Sequence, residues 1–320
     1  MFLRANCPES IDKNAMVMAM KNTLKKLLIL TSAFALTGCG PKEEDDGKLK
    51  IYASCYPVYD FLKQIGGENI HAYMLPTPGL EPHEYEPTAR DLTKLMDADY
   101  FFANGLGMEK WLNKLDGDMA SSDANKIKNK TTYLGDNLGE LKMTVDGVLD
   151  PHAWLSTICA DCYGKEIYET LSKLDAENAE VYKANYEAMS GKLQTLANDI
   201  VEGVKEIANK KLVVSHAAFG YFAHQFGFEQ IYLSGLASEE VTVRDVERVI
   251  NEIKENDIKT VYAEELDGSD ALDRIQQETG VAIKLLSPIE TLTKEEMDEG
   301  EDYYSIMRKN LATLKEGDLK

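Results

Sequence analysis

Three of the five histidines stand in short segments crowded with groups that could bind a metal. His83 lies in Gly79-Leu-Glu-Pro-His-Glu-Tyr-Glu-Pro87, where the prolines stiffen the backbone on either side. His152 lies in Asp150-Pro-His-Ala-Trp-Leu155, and His216 directly follows the apolar run Leu212–Ser215. Three imidazoles presented from rigid strand-end loops make a ligand set for a borderline ion such as zinc. His71 falls mid-strand and His224 within a helix, where a histidine is an ordinary surface or core residue.

The same ligands could serve capture or catalysis. Hydrolysis needs an open coordination position holding an activated water, with a general base beside it. The H-E-x-x-H arrangement, which puts two ligands and a base on one helix, is absent. Glu84 is the one adjacent candidate base, and it reads better as a carboxylate at the rim of a cleft. Of the cysteines, Cys159 and Cys162 form a single C-x-x-C with no second copy, which gives neither a zinc knuckle nor a clear redox motif.

The elements that must position these residues fall on either side of one long amphipathic stretch. From Asp175 to Asn209, Tyr182, Tyr186, Met189, Leu193, Leu196, Ile200, Val204 and Ile207 recur at helical spacing between polar residues. Asp175 is the expected N-cap, and Lys210 and Lys211 suit the negative pole of the dipole. At ~1.5 Å per residue such a helix would be about 50 Å long, enough to span two lobes.

Before it, strands are expected at 49–54, 70–75, 100–103 and 131–134, with helices at 58–65, from Thr88, and at 108–115; Asp116–Leu149 is otherwise polar and irregular. After it, strands at 212–215, 230–233, 260–263 and 282–286 alternate with helices at 217–226, 243–255 and 271–279, and a last helix covers 303–314. This alternation predicts an α/β fold of two parallel-sheet lobes joined by one long rigid α-helix. Ligands of such sheets lie beyond the carboxyl ends of the strands, so a metal cleft is expected between the lobes.

The N-terminus reads as an export signal. Met20–Lys26 is basic, Leu27–Leu36 is an apolar run of about 10 residues, and Gly38-Cys39 follows. That run is short of the roughly 20 residues needed to span a bilayer. Residues 1–19 fit neither region, as an upstream start site would leave them, and 40–48 form a polar tether. The expected organisation is a signal at 1–38, an anchor and tether at 39–48, a first lobe at 49–174, the connecting helix at 175–209 and a second lobe at 210–320. The chain carries a formal charge of −20; its first 38 residues hold five basic and two acidic side chains, which leaves −23 for the rest. So acidic a balance argues against a nucleic-acid partner.

The segments H-E-Y-E-P-T with its preceding P-G-L-E-P, D-P-H-A-W-L-S, and S-H-A-A-F-G-Y-F-A together resemble the metal-binding solute-binding lipoproteins of bacterial ABC importers for zinc and manganese. The likeness runs from about Leu49 to the C-terminus, in order and with similar spacing. It implies that His83, His152 and His216 bind the metal. Manganese-selective members often carry Glu at the third position, in S-E-G-A-F, so His216 points to a zinc-type member with manganese or iron as alternatives. The family's usual Asp after the last strand is replaced by Ser287, whereas Glu290 resembles the Glu of the L-N-P-L-E-x-L pattern. Glu290 is therefore the expected fourth ligand, with Glu264 and Glu265 as competitors. The lipobox-like Leu-Thr-Gly-Cys implies lipidation at Cys39 and an extracytoplasmic protein anchored to the cell membrane. The resemblance further implies a membrane permease as partner and a monomeric capture protein rather than an enzyme. A zinc-dependent hydrolase and a surface adhesin that merely retains the fold are the alternatives of other classes.

Overall fold

The computed structural model describes residues 46–236, 240–264 and 270–318. The expected signal, Cys39 and Glu265 lie outside these residues.

The first lobe is built from β1 (Leu49–Ala53), α1 (Tyr56–Gly66), β2 (Ile70–Met74), α2 (Ala89–Asp97), β3 (Tyr100–Ala103), α3 (Leu115–Asp118), α4 (Ser121–Lys128) and β4 (Thr131–Tyr133). Its strands form a parallel sheet in the order β2-β1-β3-β4. Local chemistry starts and stops these elements. Thr88 and Asp91 close a reciprocal capping box at the start of α2, and Gly67 at φ 55° ends α1. A two-stranded hairpin follows, β5 (Thr144–Val145) and β6 (Val148–Leu149), and then two long helices, α5 (Thr157–Leu174) and α6 (Ala179–Val204).

The second lobe repeats the grammar with β7 (Lys211–His216), α7 (Gly220–Phe226), β8 (Glu229–Ser234), α8 (Val243–Glu255), β9 (Thr260–Ala263), α9 (Asp270–Thr279) and β10 (Ala282–Leu285). Its parallel sheet runs β10-β9-β7-β8. Two helices close the chain, α10 (Lys294–Asp298) and α11 (Tyr303–Asp318). The two parallel-sheet lobes and the long helix agree with the expected fold class.

The long helix is shorter than its periodicity suggests. It has 26 residues, from Ala179 to Val204, or about 39 Å at ~1.5 Å per residue. Asp175 does not cap it. Its Oδ2 accepts hydrogen bonds from Asn178 Nδ2 and the Tyr182 hydroxyl, both at 2.7 Å, and so braces a 3-10 turn over Ala176–Asn178 that joins α5 to α6. At the other end the Lys210 ammonium donates to the Val204 carbonyl, as the dipole favours. Nor is α6 a free-standing strut: Tyr182, Met189, Leu193, Leu196, Ile200 and Val204 are buried, and α1, α5 and α11 pack against it. Gly164 of α5 allows that closeness, since a Cβ there would lie 3.0 Å from the Met189 methyl.

Asp116–Leu149 is less irregular than expected, because a few apolar residues suffice to seat short helices. Ala124 and Ile127 bury one face of α4, and Leu134 and Leu138 anchor a 3-10 segment over Leu134–Leu141. Expected helix 108–115 is instead a 3-10 turn at Lys110–Asn113 followed by α3, and α7 begins at Gly220 rather than Ala217.

After β10 the chain returns to the first lobe. Trp154 Nε1 donates to the Pro288 carbonyl at 2.8 Å, the Tyr56 amide to the Glu290 carbonyl at 3.2 Å, and the Gly79 amide to Thr291 Oγ1 at 2.8 Å. The largest apolar cluster is shared by both lobes: Phe61, Trp154, Tyr163, Leu212, Val214, Phe222 and Tyr303 all belong to it.

The two glycines of α6 should respond oppositely to alanine. A Cβ at Gly191 would meet nothing within 4 Å, whereas one at Gly203 would sit 2.8 Å from the Leu311 side chain on α11. Gly191→Ala is expected to stabilise by about 1 kcal/mol and Gly203→Ala to destabilise, read as opposite displacements of the urea midpoint.

Candidate metal centre

His83, His152, His216 and Glu290 converge. One donor atom from each lies within 4.8 Å of the others, and all four side chains are buried. His83 Nε2 is 3.0 Å from His152 Nε2 and 3.5 Å from Glu290 Oε1. Glu290 Oε1 is 2.9 Å from His152 Nε2 and 4.0 Å from His216 Nε2. Donors bound at ~2.0–2.1 Å in a tetrahedron would stand about 3.3 Å apart, a value these separations bracket.

Three of the donors follow strands of the parallel sheets, and His152 follows the β5–β6 hairpin. The loop after β2 carries His83, whose amide donates to Glu81 Oε1 at 3.0 Å. His152 opens a 3-10 turn at Ala153–Leu155 whose Trp154 is fully buried. His216 is the last residue of β7, the central strand with β8 and β9 on its flanks. Glu290 sits in the segment after β10 that turns back to the first lobe.

Hydrogen bonds orient the rings. Asp150 Oδ1 accepts from both the His152 amide at 2.9 Å and His152 Nδ1 at 2.8 Å. Glu264 Oε1 takes the same place at His216 Nδ1. With Nδ1 of His152 and of His216 bonded to a carboxylate, the Nε2 atom of each ring is turned toward the cluster and offers a lone pair when the ring is neutral. His216 Nε2 is buried without a hydrogen-bond partner, and the buried Glu290 carboxylate is met by imidazole nitrogens of His152 and His83. A buried polar atom without a partner is costly, and a cation would satisfy it.

The ionisation states point the same way. Burial lowers the pKa of His83 despite the Glu290 carboxylate beside it. Burial also opposes a charge on His152, but Asp150 and Glu290 outweigh it and push that imidazole up to about 10. Burial alone would raise Glu290; the neighbouring His83 and His152 reverse this and hold it well below the usual carboxylate range. Glu81 is pushed up to about 9 by burial and by the charge of Glu290. Metal-free, the site thus keeps a proton on His152, which stands in for the missing positive charge.

Of the expected carboxylates, Glu290 joins the histidines, Glu264 contacts the back of the His216 ring, and Glu265 lies outside the described residues. Ser287 contributes a turn, with its Oγ accepting the Ile289 amide at 3.2 Å. Glu84 is exposed, and Cys159 is a buried free thiol. Three supporting residues escaped the sequence reading. Asp150 was visible only as the first residue of the His152 segment, with no role of its own. Asn104 and Glu109 gave no signal, since nothing in their spacing marks them. Asn104 Nδ2 donates to the Pro151 carbonyl at 2.9 Å, and its own amide donates to the buried Glu109 at 2.8 Å.

Two α/β lobes on a shared helix, with donor side chains gathered at the strand ends between them, are the build of a solute-binding protein. The chain belongs to the family described as zinc-uptake complex component A, periplasmic, whose profile matches residues 51–317. It is 34% identical over 310 residues to the zinc-binding lipoprotein AdcA of Streptococcus pneumoniae, covering 92% of this chain and 61% of that one. The chain therefore spans about three fifths of that relative's length. It is 30% identical over 306 residues to the high-affinity zinc uptake system protein ZnuA of Bacillus subtilis, covering 91% and 96%. The Zn(II)-bound ZnuA-like domain of S. pneumoniae AdcA superposes with a TM-score of 0.72 at 34% identity, over 85% of this chain and 99% of that domain.

The carboxylates behind the rings differ in burial, and stability should register it. Asp150 is fully buried, whereas the Glu264 side chain is 15% exposed. In chelator, His152→Ala is expected to cost about 3–5 kcal/mol, because it strands a buried charge. His216→Ala should cost less, and urea denaturation of the two variants checks the order.

Proposed function

We propose that the chain captures zinc outside the cytoplasm and delivers it to an ABC importer. One observation carries this reading: three buried imidazoles and a buried carboxylate face one another, with the His216 Nε2 atom lacking a hydrogen-bond partner. The zinc-binding relatives support the choice of ion. So does the donor set, because three neutral nitrogens with one carboxylate suit zinc better than manganese, which favours oxygen donors. His83, His152, His216 and Glu290 are the proposed ligands.

Capture accounts for the site better than hydrolysis does. Four protein donors complete a tetrahedral zinc shell, whereas a catalytic zinc keeps a position open for water. Glu84 is exposed and has no place beside the donors as a base. We further propose export by the segment at 1–38, lipidation at Cys39 with the tether to residue 48, and a monomer that docks on a membrane permease. The lipoprotein named among the relatives supports the anchor. Among the described residues no helix is long and apolar enough to cross a membrane.

Calorimetric titration of the purified chain is expected to show one zinc bound per molecule. The double variant His83→Ala, His216→Ala spares the structurally demanding His152 and should lose tight binding; affinity unchanged in a folded double variant would refute the ligand assignment.

Protons compete with the metal for the same nitrogens. His152 holds its proton up to about 10 when metal-free, so zinc must displace that proton at neutral pH. Affinity should fall as pH falls, by up to about tenfold per unit for each proton displaced. Titrations in buffers of different ionisation enthalpy would measure the proton release, and a pH-independent affinity would contradict the scheme.

A further inference from the structure

Among the carboxylates near the donors, Glu264 comes from a different strand than the ring it touches. Strand register explains the encounter. Val214 of β7 pairs with Tyr262 of β9, so two residues further along both strands His216 and Glu264 emerge side by side at the carboxyl edge. The Glu264 carboxylate accepts from Nδ1, on the side of the imidazole away from the cluster, while Nε2 faces Glu290 Oε1 at 4.0 Å.

An imidazole can turn about its last torsion between broad, roughly two-fold wells. Only one orientation and one tautomer place a lone pair toward Glu290. A carboxylate at Nδ1 selects both at once, because it accepts the Nδ1 proton and resists the flipped ring. His152 has the equivalent support from Asp150 within its own loop, sealed from solvent and doubled by the backbone amide. His83 is held through its backbone amide, by Glu81. Glu264 thus stands apart in reaching its histidine from another element.

We propose that Glu264 is a positioning residue: it holds His216 with Nε2 aimed at the other three donors, and so governs how long a captured zinc ion is retained. The inference rests on the capture reading. Glu264 acts through the ring and does not itself touch the ion.

Retention is read by loading the full chain with one equivalent of zinc and following its loss to excess chelator by stopped flow. Glu264→Ala is expected to release zinc about 10–100-fold faster than the wild-type chain. Glu264→Gln should stay close to the wild-type rate, since its amide oxygen still accepts the Nδ1 proton. A ligand role would instead make Gln as damaging as Ala. The visible bands of the cobalt-substituted protein should match wild type in the Gln variant and change in the Ala variant, a signature that a purely structural contact would not move. Release from Glu264→Ala as slow as wild type, or from Glu264→Gln as fast as from Ala, overturns this inference alone. A wild-type chain that takes up no zinc overturns the capture reading and this inference with it.

Discussion

Two imidazole nitrogens 3.0 Å apart and a carboxylate oxygen 2.9 Å from one of them, all closed off from water, form an arrangement that needs positive charge at its centre. Without an ion, a proton on His152 supplies part of that charge. It cannot serve all four donors, because a proton bridges two atoms and a metal ion can bridge four. The unpartnered Nε2 of His216 is the remainder. A site of this kind is held together by its surroundings, since its members repel or strand one another when empty. The carboxylates behind the rings, and the Asn104–Glu109 pair that grips the Pro151 carbonyl, oppose that repulsion.

Rigidity on a larger scale comes from the way the lobes share a core. Residues of β7 and α7 pack in the same cluster as residues of α1, α5, α6 and α11, so the donors of the two lobes are not carried on independent bodies. Tyr303 and Trp154 show the tie in detail. The Tyr303 hydroxyl donates to the Trp154 carbonyl at 2.6 Å, and the Trp154 indole donates to the Pro288 carbonyl, two residues before Glu290. A wide hinge motion would have to break this buried lattice. Adjustment of loops and of single side chains is the cheaper route by which such a site could open.

The sequence made the frame legible because the frame is periodic. Strand–helix alternation gave both sheets, and the apolar spacing of Tyr182 to Val204 gave the long helix. The helix ends were misjudged because Asp175 reads as a cap but bonds to Asn178 and Tyr182 side chains, a choice set by the turn between two packed helices. In the site, the three histidines stood out through their local segments. Their supports did not, for a register contact such as His216–Glu264 or a buried Asn104 depends on which strands become neighbours. Short apolar spacing, as in Ala124 and Ile127, was too sparse to announce α4 within a polar stretch.

The segment from Ser287 to Glu290 shows how a departure from a family pattern can be repaired by backbone geometry. A carboxylate at residue 287 would sit directly after the last strand; serine there cannot supply the charge. Ser287 instead accepts the Ile289 amide through its hydroxyl, while Asn310 bonds both its amide and its carbonyl. The chain then turns through Ile289 at φ 61°, a left-handed conformation that is unfavourable for a β-branched residue. Such a conformation costs on the order of 1–3 kcal/mol and persists only where its surroundings over-determine it. Here they do: Ile289 is fully buried, and the flanking carbonyls of Pro288 and Glu290 are taken by Trp154 and Tyr56. The turn brings a carboxylate three residues downstream into the histidine cluster. The strain at Ile289 is thus tied to the position of Glu290, and the first-lobe residues that hold this loop help to set the fourth donor.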